Sequence, residues 1–268
     1  MRKTAPIGVF DSGLGGLTVF KALARRMPEE SLVYFGDTAH VPYGSKSPQA
    51  VERYSVAVAR FLAAKGIKLL VVACNTSSAL ALPAIRRALE VPVVGVIEPG
   101  ARAALAATRG GRIGIIGTEA TVRSGAYPRV LKALGGRVKT AAQACPLFVP
   151  LVEEGWWEGE ITEAVARRYA AALRRARVDT LILGCTHYPY LKPVLARVMG
   201  RGVRLIDSAE ETALQTRSAL AAAGLRAPSG RRGRREFYAS DAPERCRRLA
   251  RRMLGSSVTR VRLHPFDS

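Results

Sequence analysis

The sequence predicts an α/β fold: two similar domains with parallel-rich sheets flanked by helices, related by a pseudo-twofold, with the active site in the cleft between them. Three observations predict it. Short apolar runs bounded by turn residues alternate with stretches of helical periodicity, the pattern of strands joined by crossover helices. The pattern restarts near residue 112, where Arg112-Ile113-Gly114-Ile115-Ile116-Gly117-Thr118-Glu119 resembles the opening Ile7-Gly8-Val9-Phe10-Asp11-Ser12. Each half also has an apolar run that ends in a cysteine: Leu69 to Ala73 before Cys74-Asn75-Thr76, and Thr180 to Gly184 before Cys185-Thr186-His187. Ligands sit beyond the carboxyl ends of strands in parallel sheets, so both thiols fall where a site is expected.

Taken in order, Ile7 to Phe10 is a strand, Asp11 to Gly16 a Gly-rich turn, and Leu17 to Met27 a helix with Leu17, Phe20, Leu23 and Met27 on one face. Ser31 to Phe35 is a strand. A turn-rich loop through Pro42-Tyr43-Gly44-Ser45 leads to a helix over Gln49 to Lys65. Ile67 to Ala73 is the third strand, followed by a helix from Ser77 to Leu89 kinked at Pro83. Val91 to Ile97 is the fourth strand. In the second half the spacing predicts a strand over Arg112 to Gly117, a helix over Thr121 to Leu134 and a weak strand over Val138 to Ala142. An amphipathic helix over Glu160 to Arg175 follows, then strands at Val178 to Leu183 and Val203 to Ile206. The tail reads as helix (Asp207 to Leu225), strand (Glu236 to Ser240), helix (Ala242 to Leu254) and strand (Val258 to Leu263). The expected first domain spans residues 1–97 with 208–268, the tail returning to it, and the second spans 98–207.

Composition narrows the function classes. With 268 residues, 48% of them hydrophobic, the chain can bury a sizeable core. No stretch reaches the ~20 unbroken apolar residues of a membrane span, and the N-terminus lacks the apolar core of a signal peptide, so a cytoplasmic location is expected. Four cysteines without a CxxC motif suggest reduced thiols. The net charge is +21, and Arg226 to Arg262 holds twelve arginines against three acids. A basic patch of this kind attracts polyanions such as DNA, but few aromatics are interleaved as a single-strand binder needs, and a solvated basic face is the favoured reading.

Two facing thiols can do specific chemistry. A thiolate removes a proton from one face of a substrate carbon while a thiol delivers one to the other, which inverts a stereocentre. The ordinary thiol pKa of ~8.5 keeps both forms accessible. A redox pair or a zinc site fits less well, since there is no CxxC and Cys74, Cys185 and His187 supply at most three ligands. Cys145 reads as core and Cys246 as incidental. His187 is placed to polarise a thiol or a carboxylate. Asp11 is either a cap for the next helix or a partner of a substrate ammonium or thiol. Glu153 and Glu154 either form a solvated turn, or one of them reaches His187 or a thiol across the cleft. His40 and His264 have no evident partner. Ser12, Asn75, Thr76 and Thr186, with main-chain N–H groups at helix starts, suit an amino acid's carboxylates.

Five stretches together resemble the glutamate racemase family, over about residues 7 to 208: Gly8-Val9-Phe10-Asp11-Ser12-Gly13-Leu14-Gly15-Gly16-Leu17-Thr18-Val19; Gly36-Asp37-Thr38 with Val41-Pro42-Tyr43-Gly44-Ser45; Ala73-Cys74-Asn75-Thr76; Pro146-Leu147-Phe148-Val149-Pro150-Leu151-Val152-Glu153-Glu154-Gly155; and Gly184-Cys185-Thr186-His187-Tyr188-Pro189. The resemblance implies interconversion of L- and D-glutamate without a cofactor or metal, supplying D-glutamate for the bacterial cell wall. It implies that Cys74 deprotonates the D-enantiomer and Cys185 the L-enantiomer, assisted by Asp11, Glu153 and His187. Ser12, Pro42, Tyr43, Gly44, Asn75, Thr76, Thr118, Thr121, Thr186 and His187, with Asp11, are implied to bind substrate. A homodimer is implied. A rival reading from another class is a protein that binds DNA or DNA gyrase, a side role known in some members, and the basic surface is the one feature that supports it. Aspartate racemases, whose second motif usually reads Cys-Thr-Glu, are the nearest rival; Cys185-Thr186-His187 favours glutamate. Ser45, His40 and the strong positive charge depart from the usual pattern.

Overall fold

The computed structural model describes residues 2–255 and 258–266; residues 1, 256–257 and 267–268, which the expected first domain also spans, lie outside it. The first half runs β1 (Ile7–Asp11), α1 (Leu17–Arg26), β2 (Leu32–Gly36), α2 (Pro48–Ala64), β3 (Leu69–Val72), α3 (Asn75–Leu80), α4 (Leu82–Ala88) and β4 (Val93–Gly95). After α5 (Ile97–Ala107) the second half runs β5 (Arg112–Gly117), α6 (Glu119–Arg123), α7 (Ala126–Ala133), β6 (Lys139–Ala144), α8 (Phe148–Glu153), α9 (Glu160–Arg175), β7 (Thr180–Gly184), α10 (Lys192–Met199) and β8 (Arg204–Ile206). The tail adds α11 (Ala209–Ala222), β9 (Arg235–Ala239), α12 (Pro243–Leu254) and β10 (Arg262–Leu263). Single 3₁₀ turns at Tyr43–Ser45 and Tyr188–Leu191 punctuate the chain.

Two sheets form, ordered β10-β9-β2-β1-β3-β4 and β6-β5-β7-β8, and every described pair is parallel. Without β9 and β10 the orders are the same, β2-β1-β3-β4 against β6-β5-β7-β8. The internal repeat is therefore a repeat of topology. In each half the first strand lies between the second and third, and the third carries the cysteine.

The strands read as continuous apolar runs because both faces are buried. Val9, Leu69 and Val71 face α1, α11 and α12, while Phe10, Leu70 and Val72 face α2 and α4. In the second sheet Ile113, Ile115 and Ile182 pack on α5 and α7, and Ile116, Leu181 and Leu183 on α8, α9 and α10. The tail is anchored by register and by charge. Residues of β9 pair along β2, from Leu32 with Arg235 to Gly36 with Ala239. Buried Lys68 lies 2.5 Å from Glu30 Oε2 and donates to Leu225 O, and Ala227 N donates to Glu30 Oε1. A buried ion pair tolerates loss of neither partner, so this one fixes where the tail begins its return.

Several expectations need correction. α5, α8 and α10 carry no predicted element. Each has a proline in its first turn (Pro99, Pro150, Pro193), where the missing N–H would be unbonded anyway. The helix expected at Ser77 to Leu89 is two helices broken at Ala81, because Pro83 starts a new first turn rather than kinking an old one. The helix expected at Thr121 to Leu134 breaks before α7 at Gly125, whose φ of 63° ends one turn and opens the next. The last strand shrinks to Arg262–Leu263, while Val258 is buried in the core beside the first sheet. Cys246 is buried on the inner face of α12, so its arginine neighbours mark the helix's outer face.

Candidate active site

The site is assembled from strand ends. Asp11 closes β1, Cys74 lies just past β3, Thr118 just past β5 and Cys185 just past β7. Cys74 caps α3: its Sγ accepts from Ser77 N at 3.5 Å and lies 3.4 Å from Ser12 Oγ. Thr118 caps α6 in the same way through Thr121 N. Helix starts leave main-chain N–H groups unbonded, so α3 turns those of Asn75 and Thr76 towards the space beyond the sheet.

Asp11 connects the halves. It is completely buried. Its Oδ2 accepts from Gly13 N at 3.0 Å, and its Oδ1 accepts from the Thr186 hydroxyl at 3.2 Å. It does not cap α1, whose cap is Gly16; it closes the turn before that helix instead. A continuous path therefore runs from Cys74 through Ser12, Asp11 and Thr186 to Cys185.

The two thiols have opposite surroundings. His187 Nδ1 lies 3.8 Å from Cys185 Sγ, and its Nε2 lies 3.3 Å from Glu153 Oε1. Burial alone would lower the His187 pKa, but the hydrogen bonds to Cys185 and Glu153 and the charges of Cys185 and Asp11 outweigh it and raise it to about 10. Burial pushes Glu153 up, but its bond to His187 and the His187 and Arg245 charges hold it below the usual carboxylate range. Glu154 is exposed and pairs with Arg245 instead. Cys74 has no cation beside it among the described residues. Burial, reinforced by the charge of Asp11, raises it to about 11. Burial also raises Asp11, against the pull of His187 and the Gly16 and Gly13 N–H groups. One thiol is thus held protonated while the other faces an imidazolium.

His187 binds its proton more tightly when folded than its ordinary 6.5. Its contribution to stability is complete below pH 6.5 and lost as pH rises to about 10. Urea unfolding of the wild type and His187→Gln should show a stability gap that narrows across that window.

The remaining candidates fall around this core. Thr76 Oγ lies 2.9 Å from Thr118 Oγ and 3.3 Å from Thr121 Oγ, a hydroxyl cluster shared by the two halves. Asn75 Nδ2 donates to Tyr127 OH at 2.8 Å, leaving its buried Oδ1 without a partner. Tyr43 and Gly44 are buried, whereas Pro42 stands exposed at the start of the turn. Ser12, Thr76, Thr121, Thr186 and His187 are all buried. Sequence reasoning missed Tyr127, which holds Asn75, and Asp37, whose carboxylate takes the Tyr43 hydroxyl at 2.5 Å. Nothing in the sequence marks Tyr127; Asp37 could have been found as a second acid at a strand end. His40 has a partner after all in Asp37, and His264 stacks 4.0 Å from Phe61.

Close approach explains one glycine. A Cβ on Gly15 would stand 2.4 Å from Thr186 Oγ and 2.5 Å from His187 Nδ1. Gly15→Ala must displace both, and kcat/KM should fall about tenfold or more with the fold intact by circular dichroism.

Comparison with known proteins completes the picture. The profile of the Asp/Glu/hydantoin racemase family matches residues 8–216. A glutamate racemase of Geobacter metallireducens is 53% identical over 252 residues, 94% of this chain and 93% of that one. The chain belongs to the glutamate racemase family. Among solved members, the Thermus thermophilus enzyme in complex with β-chloro-D-alanine is 49% identical, with a TM-score of 0.89 and 99% of each chain covered. The Francisella tularensis enzyme in complex with D-glutamate is 33% identical, with a TM-score of 0.92 and 99% of each chain covered.

Proposed function

We propose that the protein interconverts L- and D-glutamate by moving protons between the α-carbon and two thiols, without a cofactor. The observation that carries this reading is the opposed setting of Cys74 and Cys185 on either side of Asp11. In the L-to-D direction the Cys185 thiolate takes the α-proton, forming an S–H bond as the C–H bond breaks. The Cys74 thiol gives its proton to the opposite face and becomes the thiolate. The D-to-L direction reverses both transfers. His187, held by Glu153, answers the charge changes at Cys185, and Asp11 favours the proton on Cys74. The carbanion's negative charge spreads into the substrate's α-carboxylate, where N–H groups at the start of α3 and hydroxyls of Thr76, Thr118 and Thr186 are placed to receive it. Ser12, Tyr43, Gly44, Asn75, Thr121 and Thr186 complete the substrate's surroundings.

The two sheets support a division into residues 1–97 with 208–268 and 98–207, the substrate lying between. A cytoplasmic location, a homodimer and supply of D-glutamate for peptidoglycan complete the proposal. Among the described residues no helix is long and apolar enough to cross a membrane. The test is circular dichroism of L-glutamate, and separately of L-aspartate, incubated with pure protein and no added cofactor. Loss of ellipticity with glutamate supports the reading. Persistence with glutamate, or faster loss with aspartate, overturns it.

A further inference from the structure

Asp37, just beyond β2, is completely buried, and its carboxylate collects side-chain hydrogen bonds from three residues. The Tyr43 hydroxyl donates to Oδ2 at 2.5 Å and the Ser240 hydroxyl to Oδ1 at 2.6 Å. His40 Nδ1 lies 2.9 and 3.0 Å from the two oxygens. Among the described residues no lysine or arginine pairs with Asp37, so the two hydroxyls and the His40 ring are what hold its buried carboxylate. His40 is itself held, its ring stacked 4.0 Å from that of Tyr54 on α2 at 19°.

What this pair restrains is a bridge between the halves. The segment 41–45 leaves the first sheet and touches the second. Val41 lies so close that a Cβ on Gly13 would meet it at 3.2 Å. A Cβ on Gly44 would stand 2.5 Å from Thr118 Cβ. Thr118 belongs to the hydroxyl cluster around Thr76 and Thr121. Because Asp37 takes the Tyr43 hydroxyl, the segment is fixed at the residue just before the glycine that meets Thr118.

We infer that His40, acting through Asp37, is a positioning residue that holds the segment 41–45 against Thr118 and so sets how tightly substrate is bound. The inference rests on the function proposed above. His40 touches none of the thiols, so its removal loosens binding and leaves proton transfer largely unaffected.

The test compares wild type, His40→Ala and His40→Asn; asparagine keeps an N–H donor where Nδ1 stands. KM and kcat for glutamate are measured with hydrogen–deuterium exchange of the free protein. His40→Ala should raise KM about tenfold, as loss of a hydrogen bond to a charged group does, with kcat within about threefold. Its amides at 38–46 should exchange faster while those of β1 and β3 do not, and His40→Asn should recover both properties. Unchanged KM and exchange in His40→Ala overturn the inference. So does faster exchange across the whole first sheet, which would mark a merely structural role. A wild type that fails to racemise glutamate overturns the proposed function alone, because the exchange measurement still reads the segment without turnover.

Discussion

Replacing either Cys74 or Cys185 with serine is expected to lower glutamate racemisation by about 10³-fold or more in both directions. An alcohol is too weak an acid to act as base in one direction and its conjugate donor in the other. Both directions must fall together, because the two enantiomers have equal free energy in water and kcat/KM is then the same each way. What differs is the residual chemistry. Cys74→Ser keeps the thiol beside His187, so any remaining exchange of the α-hydrogen into D₂O should be confined to L-glutamate. Cys185→Ser should confine it to D-glutamate. Proton NMR of each enantiomer in D₂O checks this, and full racemase activity in either variant would sink the two-thiol account.

The second large effect is expected at His187. It contacts Cys185 through one ring nitrogen and Glu153 through the other. His187→Gln removes the imidazolium, and kcat/KM should fall about 10²-fold, within the range of a group that assists proton transfer. The step at Cys185 alone is impaired, so it becomes more rate-limiting than the step at Cys74. The substrate isotope effect should therefore rise for α-deuterated L-glutamate and fall for the D-enantiomer. An equal change in both would place His187 outside the Cys185 step.

Much of this arrangement is legible in the sequence because it is local. Cys74 and Cys185 are visible as strand-end thiols, since a doubly buried parallel strand is an uninterrupted apolar run and the break after it is sharp. The repeat is visible because both halves use the same strand order. Asp11 and His187 are legible as candidates, and Glu153 as an acid that could reach His187, but the partner of Asp11 is not. Thr186 is 175 residues from Asp11 in the chain. No periodicity reports such contacts. Helices headed by Pro99, Pro150 and Pro193 escaped because proline reads as a breaker, whereas in a first turn it costs no hydrogen bond. Nothing in the sequence sets Tyr127 apart from other aromatics. Its hydroxyl matters only because Asn75, from the other half of the chain, meets it.

The charge was legible in amount and not in arrangement. Arg245 and Arg252, from the basic tail, lie against the loop after α8: Arg245 pairs with Glu154 at 3.5 Å, and Arg252 lies 4.4 Å over the Trp157 ring. Part of the basic tail thus packs against the segment that carries Glu153.

The central claim is that one thiol removes the α-proton and a different one supplies its replacement. The most direct test is to run L-glutamate in D₂O with pure protein and stop at low conversion. The D-glutamate formed and the L-glutamate recovered are then separated and their α-deuterium measured by mass spectrometry. Two thiols predict deuterium in nearly all the product and little in the recovered substrate. Equal deuterium in both pools would mean a single base serving both faces, and a product without deuterium would mean no exchange with solvent at all; either contradicts the account.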